Sequence, residues 1–169
     1  MGINLSLLIL GESLKMIVIG EPAPVFTLPA TTVGTVTLPD YRGQNMVLYF
    51  YPKDSTPGCT KQSNDFKSYY EKFLALNTII FGISRDHLTS HLTFKTTQNF
   101  PFELLSDVDG TVCKLYNVLQ PKISFGKKTL GIERSTFLID KAGILRKQWR
   151  KIRVEGHVIS VLEAISHLS

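Results

Sequence analysis

Two rhythms of apolar residues run along this chain. Apolar, β-prone stretches lie near 46–51, 78–84, 102–105, 135–140 and 144–150 and read as strands, with Met46-Val-Leu-Tyr-Phe-Tyr51 forming the core strand. The turn Asp140-Lys-Ala-Gly143 joins the last pair. Between them, apolar residues recur at steps of three and four. In 58–76, Phe66, Tyr69, Tyr70, Phe73, Leu74 and Leu76 mark one helical face, and Lys61, Asn64, Asp65, Lys67, Ser68, Glu71 and Lys72 mark the other. Further helices are predicted near 87–98, 109–116 and 156–168. This alternation predicts an α/β fold, a central sheet with helices on both faces.

The length of 169 residues suits one domain, and 43% hydrophobic with 20% charged residues is ordinary for a globular protein. Two cysteines are too few for a disulfide scaffold and suit a reducing, cytoplasmic compartment. Gly-rich phosphate loops, metal-spaced Cys and His clusters and internal repeats are absent, and His87, His91, His157 and His167 are scattered, so no cofactor or metal is expected.

Candidate chemistry concentrates where the core strand gives way to the first helix. Pro52 blocks further pairing, and Pro57-Gly58 makes a turn that starts a helix and lets backbone approach a small substrate. Cys59 then falls in the first helical turn, where unpaired N–H groups and the positive end of the macrodipole favour a thiolate. An isolated cysteine is commonly a small buried hydrophobe. Here the neighbours Gly58, Thr60 and Lys61 place it at an element junction expected to be open. Thr56 stands at N-cap distance, able to cap the helix or to bond a group held at Cys59. A Cys-x-x-Cys oxidoreductase is disfavoured because Gln62 occupies the second position.

The string Tyr49-Phe-Tyr-Pro-Lys-Asp-Ser-Thr-Pro-Gly-Cys59-Thr-Lys-Gln62 resembles the active-site segment of peroxiredoxins, closest to the bacterioferritin comigratory protein or PrxQ type. Ile19 to Pro29, Tyr41 to Gln44, Gly82 to Asp86, Leu104 to Asp107 and Arg134 to Asp140 continue it in family order, so that it covers roughly residues 16–168. The resemblance implies a thioredoxin-like fold, a mixed sheet flanked by helices, with an N-terminal β-hairpin extension near 25–38 and a loop from Leu119 to Leu130 beside the active site. It implies a thiol peroxidase in which Cys59 is the peroxidatic residue, Thr56 and Pro52 complete the family's Pro-x-x-x-Thr-x-x-Cys signature, and Arg134 is the active-site arginine. A guanidinium suits that task, since its charge cannot be lost and its donors are fixed. On residues alone, Arg134 beside Glu133 reads equally well as a solvated edge residue.

The chain departs from the family in one respect. Asn64 stands where many members carry a resolving cysteine. The other thiol, Cys113, has two readings: a structural residue buried with Val112, Leu115 and Tyr116, or a resolving partner for Cys59. The structural reading gives a one-cysteine mechanism in which an external thiol (thioredoxin, glutaredoxin with glutathione, or another small thiol) reduces the sulfenic acid. A redox sensor that uses Cys59 oxidation to change partner contacts is the alternative from another class.

Net charge is +5, with a pI near 9.2 and a basic run over Arg146 to Arg153. Alternation along Ile144 to Val154 makes this a strand with one solvated basic face, and no nucleic-acid motif accompanies it. The first ten residues are apolar but too short to span a membrane, and they lack a secretory signal's basic start and cleavage site. Residues 1–15 are therefore read as an extension upstream of a natural start at Met16, followed by a single domain over 16–169. The expected partners are a peroxide and an external thiol, with no nucleic acid or membrane, and the expected assembly is a monomer or weak homodimer.

Overall fold

The computed structural model describes residues 17–168 and builds them around a seven-stranded mixed sheet. The strands are β1 (Thr27–Ala30), β2 (Gly34–Thr37), β3 (Asn45–Phe50), β4 (Thr78–Ser84), β5 (Glu103–Ser106), β8 (Ser135–Ile139) and β9 (Leu145–Trp149), in the order β2-β1-β5-β4-β3-β8-β9. β3, β4 and β5 run parallel, whereas on one side β8 pairs antiparallel with β3 and β9 antiparallel with β8, and on the other side β1 pairs antiparallel with β5. The expected N-terminal hairpin is present as β1 and β2, and the proposed extension at 1–15 lies outside the described residues.

Strand parity divides the interior into two cores. Met46, Leu48 and Phe50 of β3 face one with Cys113, Tyr116 and Phe137, while Val47, Tyr49 and Tyr51 face the other with Cys59, Phe66 and Phe94. The second core is covered by α1 (Pro57–Ser68), α2 (Tyr70–Ala75), α3 (Leu88–Gln98) and α5 (His157–Ser166). On the first lie α4 (Thr111–Leu115) and the N-terminal segment carrying Ala23 and Phe26.

Two sequence expectations are corrected. The helix predicted over 58–76 is broken at Tyr69, whose φ of −103° and ψ of 9° separate α1 from α2. The Ser68 hydroxyl donates to the Asn64 carbonyl at 2.9 Å, a back-bond that competes with the helical ladder and bends it. Phe66 and Phe73 both remain fully buried, so each of the two short helices keeps an aromatic anchor in the same core. The segment expected to be a loop from Leu119 to Leu130 is an antiparallel hairpin, β6 (Leu119–Ser124) and β7 (Lys127–Ile132), paired from Leu119↔Ile132 to Ser124↔Lys127. Its turn places Phe125 and Gly126 at φ of 50° and 76°. That is the left-handed pair a two-residue hairpin requires, but a phenylalanine in the first position conceals the turn from composition rules.

Candidate active site

Local chain chemistry sets the mouth of α1. Thr56 is the N-cap in extended conformation, Pro57 opens the helix, and the first intrahelical bond runs from Thr60 N to Thr56 O at 2.9 Å. The N–H groups of Gly58 and Cys59 therefore precede the helical ladder. The Thr56 side chain does not cap: its hydroxyl donates to the Lys53 carbonyl at 2.8 Å, which orients its lone pairs away from that bond and fixes the loop. Pro52 is half-buried at the start of this loop.

Cys59 departs from the open position expected of it, being only 1% exposed. The reason is tertiary. As the third residue of α1 it points towards the sheet, onto the core formed by Tyr49, Tyr51 and Phe66. Tyr49 stacks on Phe66 and Tyr51 at centroid distances of 4.6 and 5.5 Å, and its hydroxyl bonds to Ser63 at 2.9 Å. Burial drives the Tyr49 and Tyr51 hydroxyls well above the usual phenol range, so both stay neutral around the sulfur.

Arg134 reaches Cys59 across 75 positions of sequence. β3 and β8 pair antiparallel with Phe50 opposite Ser135, which brings Arg134 level with Tyr51 where the chain turns towards Cys59. Backbone bonds Glu133 N to Val118 O (2.7 Å) and Ile152 N to Arg134 O (3.2 Å) hold that corner. The guanidinium donates through Nη2 to Cys59 Sγ at 3.4 Å and through Nη1 to Gln62 Oε1 at 2.5 Å. A half-buried cation at this distance from sulfur stabilises negative charge there. Gly58 makes room for it: a Cβ at that position would lie 3.2 Å from Arg134 Nη2.

Sequence reasoning passed over Gln62 as a site residue. It is fully buried one turn below Cys59, and its Nε2 is the one buried side-chain nitrogen or oxygen without a hydrogen-bond partner among the described residues. Arg134 offers only donors, so Oε1 must face it and the amide nitrogen is left over. Its position three residues after the cysteine, on the same helical face, was the available signal. Asn64, in the place of a resolving cysteine, ties α1 to α3 by donating to Thr60 O and Gln98 Oε1 at 3.0 and 3.1 Å.

Cys113 lies on the opposite face of the sheet from Cys59. It is fully buried, its N–H donates to Asp107 Oδ2 at 2.7 Å, and burial, reinforced by the Asp107 carboxylate, pushes its thiol far above the ordinary range. Both cysteines are free thiols. On the other flank of Arg134, the buried imidazole of His157 bonds through Nε2 to Thr136 at 2.8 Å. Burial and the Arg134 charge lower its pKa to about 4. Among the described residues no helix is long and apolar enough to cross a membrane.

Comparison with known proteins points the same way as this geometry. Residues 19–148 match the AhpC/TSA family. The peroxiredoxin Bcp of Bacillus subtilis is 46% identical over 151 residues, 89% of this chain and 96% of the relative. Among solved structures, the bacterioferritin comigratory protein of Xanthomonas campestris, described for its alkyl peroxide reduction activity, superposes with a TM-score of 0.80 at 41% identity, covering 83% of this chain and 90% of that one. A cysteine-to-serine mutant of Xylella fastidiosa PrxQ superposes with a TM-score of 0.84 at 36% identity, covering 89% and 96%.

Proposed function

The chain belongs to the AhpC/TSA family as a thiol-dependent peroxidase of the Bcp/PrxQ type, and from that premise we propose that Cys59 is its peroxidatic thiol, working by a one-cysteine mechanism. The observation that carries the assignment is the Arg134 guanidinium 3.4 Å from a sulfur seated in the first turn of α1.

The thiolate of Cys59 attacks one oxygen of the peroxide, the O–O bond breaks, and the other oxygen leaves as hydroxide or alkoxide and takes up a proton. Sulfur is oxidised to sulfenic acid and the peroxide is reduced to water or alcohol. Arg134 stabilises negative charge first on sulfur and then on the departing oxygen, with fixed donors that need no reorganisation. The free N–H groups at the mouth of α1 and the Thr56 hydroxyl bind the peroxide, while Pro52 shields the thiolate from water. The alkyl peroxide activity described for the Xanthomonas relative supports organic hydroperoxides as substrates alongside hydrogen peroxide.

Regeneration uses an external thiol. It attacks the sulfenic sulfur, releases water and leaves a mixed disulfide, which a second thiol resolves to free Cys59. Two features support this route over an internal disulfide: Asn64 holds the near position, and Cys113 is buried beneath the other side of the sheet. Thioredoxin, glutaredoxin with glutathione, or a similar thiol fits the chemistry, and a reducing cytoplasmic setting matches two free, buried cysteines.

The test is mass spectrometry after one equivalent of hydrogen peroxide, with a sulfenic-acid trap and a Cys113→Ser control. Trapped sulfenic acid on Cys59 alone, unchanged in Cys113→Ser, is expected. A Cys59–Cys113 disulfide would replace the one-cysteine mechanism by a two-cysteine one, and an unoxidised Cys59 would remove the peroxidatic assignment.

A further inference from the structure

The hairpin of β6 and β7 stands off the seven-stranded sheet as a separate ribbon, its strands pairing only with each other. The register sets Leu119 opposite Ile132, Pro121 opposite Leu130 and Ile123 opposite Lys128 on one face, because alternate positions share a side. At the root of that face Ile132 is buried in the first core. Outward from it Leu130 is 53% exposed, Ile123 76%, and the turn residue Phe125 is fully exposed. An apolar stripe thus leaves the core and ends bare at the tip. Phe125 also holds a φ of 50°, a left-handed conformation that costs energy for a residue with a Cβ, and it gains no burial within the chain in return.

The charge around this stripe has one sign. Lys122, Lys127 and Lys128 lie on the hairpin, and no Asp or Glu occurs from Asn117 to Ile132. None of the three lysines belongs to an ion pair among the described residues. Lys122 lies across Gly131, whose missing side chain leaves room for its stem, and its Nζ donates to the Ile132 carbonyl at 3.1 Å. Lys127 and Lys128 flank the tip and are exposed.

Chemistry discriminates among the surfaces that could cover such an element. A second copy of this chain would set lysines against lysines, and cationic strands oppose that pairing. A stable protein interface takes roughly 800 Å² from each partner, whereas this is a ribbon of two strands about 5 Å apart. A bilayer offers an apolar layer deep enough for the tip and, where its headgroups are anionic, a negative surface for the lysines.

We infer that the hairpin of β6 and β7 is a docking element for the surface of an anionic phospholipid bilayer, into which Phe125 and Ile123 insert while Lys122, Lys127 and Lys128 meet the headgroups. A spanning helix is not needed for this, so the sequence-based expectation of no membrane partner holds for spanning and not for surface contact. β7 ends two residues before Arg134, so docking holds the site near the phase in which apolar hydroperoxides dissolve. That consequence, unlike the docking, rests on Cys59 being the peroxidatic residue.

The experiment sediments the protein, without peroxide, with vesicles of phosphatidylglycerol and phosphatidylcholine in equal parts and with vesicles of phosphatidylcholine alone. It includes Phe125→Ala, the pair Lys127→Gln with Lys128→Gln, and Lys147→Gln, which removes a charge from the basic run of β9. All four positions are exposed, so each variant keeps the fold. The parent is expected to bind the anionic vesicles at least tenfold more tightly than the neutral ones, and about 0.5 M salt to remove most of that difference. Phe125→Ala weakens binding about tenfold. The lysine pair weakens it roughly twentyfold, about fivefold for each charge, and Lys147→Gln less than twofold. No binding to the anionic vesicles, equal binding to both kinds, or binding that Phe125→Ala or the lysine pair leaves within twofold overturns the inference. So does a dimer, seen by sedimentation velocity without lipid, that Phe125→Ala abolishes, since it gives the tip to a second copy. Binding is read without turnover, so none of these failures touches the assignment of Cys59, which fails only if peroxide leaves that thiol unoxidised.

Discussion

Arg134 reaches Cys59 Sγ at 3.4 Å because two neighbouring residues leave it room and hold it there. Gly58 is the first: the Cβ of a Gly58→Ala variant would press on Arg134 Nη2 from 3.2 Å. Alanine is the better helix former, so the variant is expected to fold normally while peroxide-driven oxidation of Cys59 slows by roughly tenfold, equivalent to about 1.4 kcal/mol. Stopped-flow kinetics beside a thermal melt separates the two effects. Gln62 is the second, since its Oε1 holds the other guanidinium nitrogen at 2.5 Å. Gln62→Leu deletes that acceptor and, with it, the unpartnered Nε2. Losing an orphan donor offsets losing the bond, so stability should change by no more than about 1 kcal/mol, whereas the oxidation rate should fall by about an order of magnitude. A large loss of stability with unchanged kinetics would make Gln62 a packing residue only. The positions of Cys59, Thr56 and Pro52 at the junction of strand and helix were legible in sequence because they follow from local rules of turns and helix starts, whereas the burial of Cys59 was not. The contacts of Arg134 and Gln62 were not, because a side chain's partner across the fold leaves no trace in local periodicity.

At the level of elements, β4 shows how closely the sheet and the site are fitted. Gly82 sits under the Tyr49 ring, and an added Cβ would meet Tyr49 Cζ and Oη at 2.7 Å and Leu104 Cδ2 at 2.8 Å. Gly82→Ala is therefore expected to destabilise by about 1–3 kcal/mol through overpacking, lowering Tm by roughly 3–10 °C, as read by calorimetry. A melt unchanged from the parent would show that Tyr49 can retreat without cost. The strands and long helices were readable because burial imposes periods of 2 and 3.6. The break at Tyr69 was hidden because Phe66 and Phe73 keep a helical spacing across it and both stay buried. The hairpin of β6 and β7 was hidden too. Its two strands pair only with each other and leave Ile123, Phe125 and Leu130 exposed, so no alternation of buried and exposed residues marks it.

On the scale of the whole molecule, the sheet keeps the two thiols on different faces and brings Arg134, His157 and Cys59 onto one. The neutral, buried state of His157 links folding to pH. Its folded pKa of about 4 lies below the ordinary 6.5, so between these values the unfolded chain binds more protons. Stability is therefore full above pH 6.5 and falls as pH drops towards 4, by at most about 1.4 kcal/mol per pH unit. His157→Gln, which can keep a bond to Thr136, should flatten this slope in urea titrations at pH 7 and pH 5. An equally steep loss in the variant would assign the acid sensitivity to the carboxylates.

What the sequence determined by itself was the five strands β3, β4, β5, β8 and β9, the position of Cys59 at a helix start and the family, because each rests on neighbouring residues or on motifs in fixed succession. Only the tertiary structure decided that Cys59 is buried, that Arg134 links it to Gln62, that Cys113 lies across the sheet, and that Asp54 meets His91. Those facts depend on strand register and on which sheet face each side chain takes. Register arises from packing among residues tens of positions apart, so it exists only once the chain has folded.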